Sequence, residues 1–368
     1  SVSIAENIAA VTTVTATDAD LPAQTLTYSI VGGVDSALFT INASTGALSF
    51  IVAPDFEVPS DAGADNIYDV TVRASDGALL DDQAIAVTIT NVNEPPVITS
   101  NGGGATAAVS VAENGTAVTT VTATDVDVPT TITYSIVGGA DQALFTVNAS
   151  TGALSFLAAP DFETPVDAGA DNVYDVTVRA SDGTLVDEQA IAVTLTNVNE
   201  TPVITSNGGG ATAGVSVAEN TTAVTTVLAT DVDAATTLTY SIVGGADQAL
   251  FTINASTGAL AFLAAPDFEV PADAGGNNVY DVTVRTSDGT LFDDQAIAVT
   301  IADVNEAPVI TSNGGGAVAG VSVSENTTAV TTVVATDQDV PTTITYSVVG
   351  GADAALFTIN ASTGALSF

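Results

Sequence analysis

Residues 174–181 read YDVTVRAS, and the way this stretch alternates decides the fold. Val176, Val178 and Ala180 share one side, while Asp175, Thr177 and Arg179 share the other. That period of two belongs to a strand with one face in a core and one in water. The rhythm continues outward in both directions. In TITYSIVG (131–138), Ile132, Tyr134 and Ile136 oppose Thr131, Thr133 and Ser135, and in AIAVTLT (190–196), Ile191, Val193 and Leu195 alternate with Ala192, Thr194 and Thr196. LFTVNASTGALSF (144–156) carries two short strand runs around NASTG, where Gly152 supplies the positive φ of a hairpin turn. With PVITS, SVAEN and AVTTVTATD added, the count reaches about seven strands with no sustained helical period, which predicts an all-β sandwich.

The pattern recurs along the chain. SIAEN, SVAEN, SVAEN and SVSEN place their glutamates at Glu6, Glu113, Glu219 and Glu325, steps of 107, 106 and 106 residues. A period that long is too large for a solenoid and right for an independently folded domain. The expected domains are 1–96, 97–202, 203–308 and a partial 309–368. The fourth stops at Phe368, in register with Phe50, Phe156 and Phe262. The expectation is that the natural chain continues beyond it and begins before Ser1.

Composition narrows the function. The chain has 43 Asp plus Glu against three Arg, with no Lys, His or Cys, for a formal charge of −40, yet 46% of its residues are hydrophobic. Acidic disorder is poor in apolar residues, so these are folded domains. A surface so anionic, with no basic patch, effectively excludes nucleic acid as a partner and argues against anionic membrane surfaces. No apolar run is long enough to insert in a membrane. Without His or Cys there is no imidazole base and no thiolate nucleophile or soft-metal site, so an enzyme is not expected.

The carboxylates gather at strand ends. In the second repeat they fall in AEN, TDVD, PDFE, VDAGAD, SDG, VDE and VNE. Gathered acids repel unless a cation lies between them. Ca²⁺, which takes roughly six to eight oxygen ligands, is the natural partner for a site that offers only oxygen.

The order AEN, TDxD, PDFE, VRASDG and VNExP resembles the cadherin repeat, and the match runs the length of the chain. Within that family it most resembles the tandem cadherin-like repeats in the extender regions of large bacterial secreted and surface adhesins of the RTX type. The resemblance implies seven-stranded, immunoglobulin-like Greek-key sandwiches in an elongated array, with more than one Ca²⁺ at each junction. Carried over position by position, the first junction would use Glu6, Glu57, Asn91, Asn93, Glu94, Asp125, Asp127 and Asp182. The second would use Glu113, Glu163, Asn197, Asn199, Glu200, Asp231, Asp233 and Asp288. The third would use Glu219, Glu269, Asp303, Asn305, Glu306, Asp337 and Asp339, and Asp18, Asp20 and Asp76 would serve a junction with a preceding repeat. Two departures stand out. The linker has Glu where the family has a second Asp, and it opens with Asn91 and Asn197 but with Asp303. The absence of Trp gives no support to adhesion by exchange of a Trp-anchored strand.

Other motifs have plainer readings. Asp55, Asp161 and Asp267 read as turn caps beside their glutamates, the DAGADN loop as solvated, and each Arg as half of a surface ion pair. The aromatic positions follow the strand alternation and read as core. The functional expectation is a structural extender of an extracellular, bacterial-surface adhesin stiffened by Ca²⁺, with adjacent repeats, and other copies of the chain in a fibre, as its partners. The alternatives are a self-associating filament or sheath subunit with lateral β contacts, and a carbohydrate-binding module.

Overall fold

The computed structural model describes residues 1–20, 24–233, 236–339 and 341–368. By its internal contacts the chain divides into two bodies, 1–198 and 199–368. Among the described residues there is no α-helix, only strands and single 3₁₀ turns.

In the first body, the stretch that set the expectation is the strand Val173–Ser181, paired antiparallel with Val186–Thr196 on one side and Thr133–Gly138 on the other. Thr106–Ala112 adds to the far side of Val186–Thr196 in parallel, completing a four-stranded sheet. Ala117–Thr120, Ala153–Phe156 and Phe145–Val147 form the facing three-stranded sheet. The inward alternation is the one read from sequence: Val176, Val178, Ala180, Ile191, Val193 and Leu195 are buried, as are Tyr134, Phe145, Phe156 and Tyr174. Phe156 meets Tyr174 edge-on at 5.2 Å. Fully burying one such side chain contributes roughly 1.5–3 kcal/mol, so a dozen or so per sandwich set the fold.

The two runs flanking the first strand are less continuous than the sequence suggests. PVITS–SVAEN splits, with Val97–Ile98 pairing with Ala123–Thr124 while Thr106–Ala112 crosses to the other sheet. Between them lies SNGGG, where Asn101, Gly102, Gly103 and Gly104 all have positive φ. Buried Gln189 ties that loop down, donating to the carbonyls of Ser100 and Gly104 and accepting from the Asn101 side chain.

The same architecture occurs at the start of the first body, in sheets that include Thr27–Gly32, Ile67–Ser75 and Leu80–Thr90, around a separate core. It occurs again in the second body, around Thr239–Gly244, Val279–Ser287 and Phe292–Ala302. The last segment of the second body has the three-stranded sheet Ala329–Thr332, Ala365–Ser367 and Thr358–Ile359. Its residues 345–350 align with Thr133–Gly138 but form no strand.

The DAGADN loop has an anchor that the sequence did not reveal. Asp61 is buried, and its carboxylate accepts the backbone N–H groups of Asp65 and Asn66. Burial pulls this acid upward, but the backbone donors outweigh it and leave it below the usual carboxylate range. Buried Asp35 pins the same loop through the N–H groups of Ala62 and Asp69. The loop is exposed at residues 62–65, as the sequence suggested, and is anchored from inside by Asp61 and Asp35.

Candidate metal centre

Each candidate centre starts from a glutamate at the end of the edge strand that pairs in parallel. In the first body Glu6 follows Val2–Ala5. It is 2% exposed, and its two oxygens accept the N–H groups of Phe56 and Val92, each at 2.8 Å. One buried carboxylate thereby fastens the PDFE turn and the linker to the same strand end. The linker is fixed from its other side by Asp127, which accepts the Asn91 side-chain amide and the Glu94 N–H, both at 2.8 Å. Asn93 donates to Asp182 at 2.6 Å, and Asp182 also accepts the N–H groups of Thr184 and Leu185. The Asn93 amide and then these backbone donors hold Asp182 far below the usual carboxylate range.

These bonds bring acids together. One oxygen each from Glu57, Glu94 and Asp127 lies within 4.8 Å of the others, and so do oxygens of Glu6, Asp55 and Glu57. Burial, and next the Glu6 carboxylate, pushes Glu57 up; burial, then Glu6 and Asp127, does the same to Glu94. Glu94 Oε2 and Asp125 Oδ2 are buried without a hydrogen-bond partner. The remaining Asp125 oxygen accepts the Asp127 N–H.

The second body repeats the plan. Glu219, 1% exposed, accepts the N–H groups of Phe268 and Val304 at 2.8 Å, and Asp339 accepts the Glu306 N–H at 2.7 Å. Asp337 accepts the Asp339 N–H, and Asn305 donates to the Glu306 carbonyl. Glu219, Asp267 and Glu269 lie within 4.8 Å of one another. Burial first, then neighbouring acids, raises Glu269, Asp303 and Glu306. Glu269 Oε2, Glu306 Oε2 and Asp339 Oδ1 are buried and unpartnered.

The residues expected at the second junction fall on both bodies. On the first, Glu113 accepts the N–H groups of Phe162 and Val198, the Glu163 N–H is capped by Asp161, and Asn197 directly follows the strand Val186–Thr196. On the second, Asn199 donates to Asp288, which it holds far below the usual range, while Asp233 accepts the Glu200 N–H and Asp231 accepts that of Asp233. Asp18, Asp20 and Asp76 also lie together, and Asp18 Oδ2 is buried without a partner.

Two sets of residues escaped the sequence reading. Asp55 and Asp267 cap their turns as expected, but their carboxylates also join the glutamate clusters. The asparagine of AEN, Asn7 or Asn220, donates its side-chain amide to the linker glutamate, Glu94 or Glu306. Its recurrence after every strand-end glutamate was the available signal.

Chemically, each centre is an all-oxygen donor set with unpartnered carboxylate oxygens. Among the described residues no Arg reaches it, since Arg73, Arg179 and Arg285 are paired across strands with Asp82, Glu188 and Asp294. That set fits a hard divalent cation of calcium's size and coordination number.

Fold and donor set together define a tandem β-sandwich repeat with acidic, linker-centred sites. The family model for the cadherin domain matches residues 1–92 and 107–198, half of the chain. The chain belongs to the cadherin family. It is similar to human Protocadherin Fat 1, 29% identical over 94% of this chain and 8% of that protein. It is also similar to mouse Cadherin EGF LAG seven-pass G-type receptor 2, 33% identical over 89% of this chain and 11% of that one. The chain thus spans about a tenth of the length of these relatives. Among solved structures, human CDH23 EC21-23 shares the fold with a TM-score of 0.52 at 20% identity, covering 81% of this chain and 96% of that one. The Protocadherin Gamma B2 extracellular cadherin domains 1-5 do so with a TM-score of 0.52 at 20% identity, covering 100% of this chain and 72% of that one.

Proposed function

We propose that this chain is a structural extender of an extracellular adhesin or surface fibre, in which Ca²⁺ held at the linkers between repeats stiffens the array. The domains are the repeats 1–96, 97–202, 203–308 and 309–368. The ligands are the strand-end glutamate, the PDFE glutamate and the linker residues of one repeat, with the DxD and SDG aspartates of the next. More than one ion sits at each linker.

The observation that carries this reading is the pair of carboxylate clusters, Glu57 with Glu94 and Asp127 and Glu219 with Asp267 and Glu269, beside buried oxygens of Glu94, Glu269 and Glu306 that no protein donor satisfies. Such clusters disfavour a fixed linker without a cation and favour one with it, because ligands from both flanking repeats then share the charge. Near-identical motifs in successive repeats suit an extender, which needs length rather than distinct binding faces. The uniformity of the repeats supports a bacterial surface adhesin of the RTX type within this reading. No feature of the site suits catalysis.

Small-angle scattering with Ca²⁺ and with EDTA tests the proposal. The expected result is a larger maximum dimension and a narrower spread of conformers in Ca²⁺. Equal dimensions and equal flexibility in both would reject it. The same purified chain, imaged by electron microscopy in Ca²⁺, separates single threads from the bundles expected of a filament subunit.

A further inference from the structure

We propose that Asn7 and Asn220 are positioning residues that clamp one oxygen of the linker glutamate, so that the other is presented to the cation as a single, fixed ligand atom. The inference rests on the calcium reading above and deepens it.

Asn7 Nδ2 donates to Glu94 Oε1 at 3.1 Å, and Asn220 Nδ2 donates to Glu306 Oε1 at 2.7 Å. In both places the second oxygen, Oε2, is the one left buried and unpartnered. The contact spans 87 residues in one case and 86 in the other, so it is a designed feature of the folded linker and not a local turn bond. The backbone of each asparagine is separately fixed. Asn7 N–H donates to the Pro54 carbonyl and Asn220 N–H to the Pro266 carbonyl, with φ of 61° and 59°. Left-handed φ explains the choice of Asn or Gly there. It does not explain why the amide is aimed at the linker acid.

A glutamate in this place has one more rotatable bond than an aspartate and needs restraint to act as a fixed ligand. The amide supplies that restraint without adding charge. Groups that orient a ligand in this way typically change metal affinity by roughly 10–100-fold when removed.

The variant Asn7→Gly/Asn220→Gly in the full chain permits the same left-handed backbone and removes the side chain that carries the amide. Calorimetric titration with Ca²⁺ should show part of the binding weakened about tenfold, while the melting temperature in EDTA stays close to that of the parent. The loss due to Asn7→Gly should vanish in a Glu94→Gln background, as coupling through that carboxylate requires. Parent-like titration of the double glycine variant would overturn the clamp while leaving the calcium reading intact. An equal loss with and without Glu94 would also overturn it, since Asn7 would then act through the backbone alone. A parent chain that binds no Ca²⁺ would overturn both.

Discussion

Asn91 and Asp303 stand at the same place in two linkers and do opposite things to the aspartate beside them. Asn91 donates to Asp127 Oδ1, whereas Asp303 has no amide to offer, and the corresponding atom, Asp339 Oδ1, is buried without a partner. Burial and the facing Asp339 carboxylate push the Asp303 acid up. The first linker therefore tolerates the absence of a cation better, and the third gains more from one. Asn91→Asp should tighten Ca²⁺ binding at the first linker by roughly an order of magnitude, because ligand charge tunes such sites. It should also lower the melting temperature in EDTA. Asp303→Asn should do the reverse on both counts. Calorimetry and thermal melts of the two variants check this, and an affinity that ignores the exchange would mean that this position is not a ligand. The difference between the two residues was visible in the sequence, but its consequence was not. Only the fold shows that the Asn91 amide already occupies the aspartate that a cation would need.

The linker, as an element, is where sequence reading was strongest on composition and weakest on hydrogen bonding. Alternation in YDVTVRAS and AIAVTLT identified the central strands and their buried faces, because burial on one side of a pleat imposes a period of two. The splitting of PVITS–SVAEN between two sheets was not legible, since SNGGG is a generic loop until Gln189 is seen filling it. The anchoring of the exposed DAGADN loop was not legible either, because one acceptor for its N–H groups comes from Asp35, distant in sequence. Linker acids also carry a pH signature. Glu57, Glu94, Glu269 and Glu306 are raised, by burial first and then mostly by neighbouring acids, so the folded, cation-free chain holds these protons more tightly than the unfolded one. Their contribution to stability is greatest below the unfolded value, roughly pH 4.3, and falls as pH rises through the raised values. Asp61, Asp182 and Asp288 are depressed, and their contribution is lost only below about pH 3.9, outside that window. The melting temperature in EDTA should therefore decline from about pH 5 towards 7. In Ca²⁺ the decline should disappear or reverse, because binding displaces the protons. Parallel pH slopes in the two conditions would show that these acids do not face a cation.

Across the whole molecule, a formal charge of −40 is met by three arginines, and each is spent within a sheet on a half-exposed pair. Exposed pairs of this kind contribute roughly 0–1 kcal/mol and leave the linkers without positive charge. Neutralisation has to come from solution, and two mechanisms make different demands on the ion. Diffuse screening depends only on ionic strength, and concentrated NaCl shortens it to a few ångströms. Bridging needs an ion that accepts many oxygens in a flexible shell, which Ca²⁺ does and the smaller, tightly hydrated Mg²⁺ resists. Moderate NaCl should thus raise the melting temperature slightly and leave the linkers flexible. Millimolar Ca²⁺ added on top of that salt should raise it much further and extend the chain, while the same concentration of Mg²⁺ should do little. Melts and scattering curves across the three salts decide between the mechanisms. If NaCl at high concentration reproduced the whole Ca²⁺ effect, the carboxylate clusters would be a repulsive surface needing only screening, and the linkers would have no specific ion to hold.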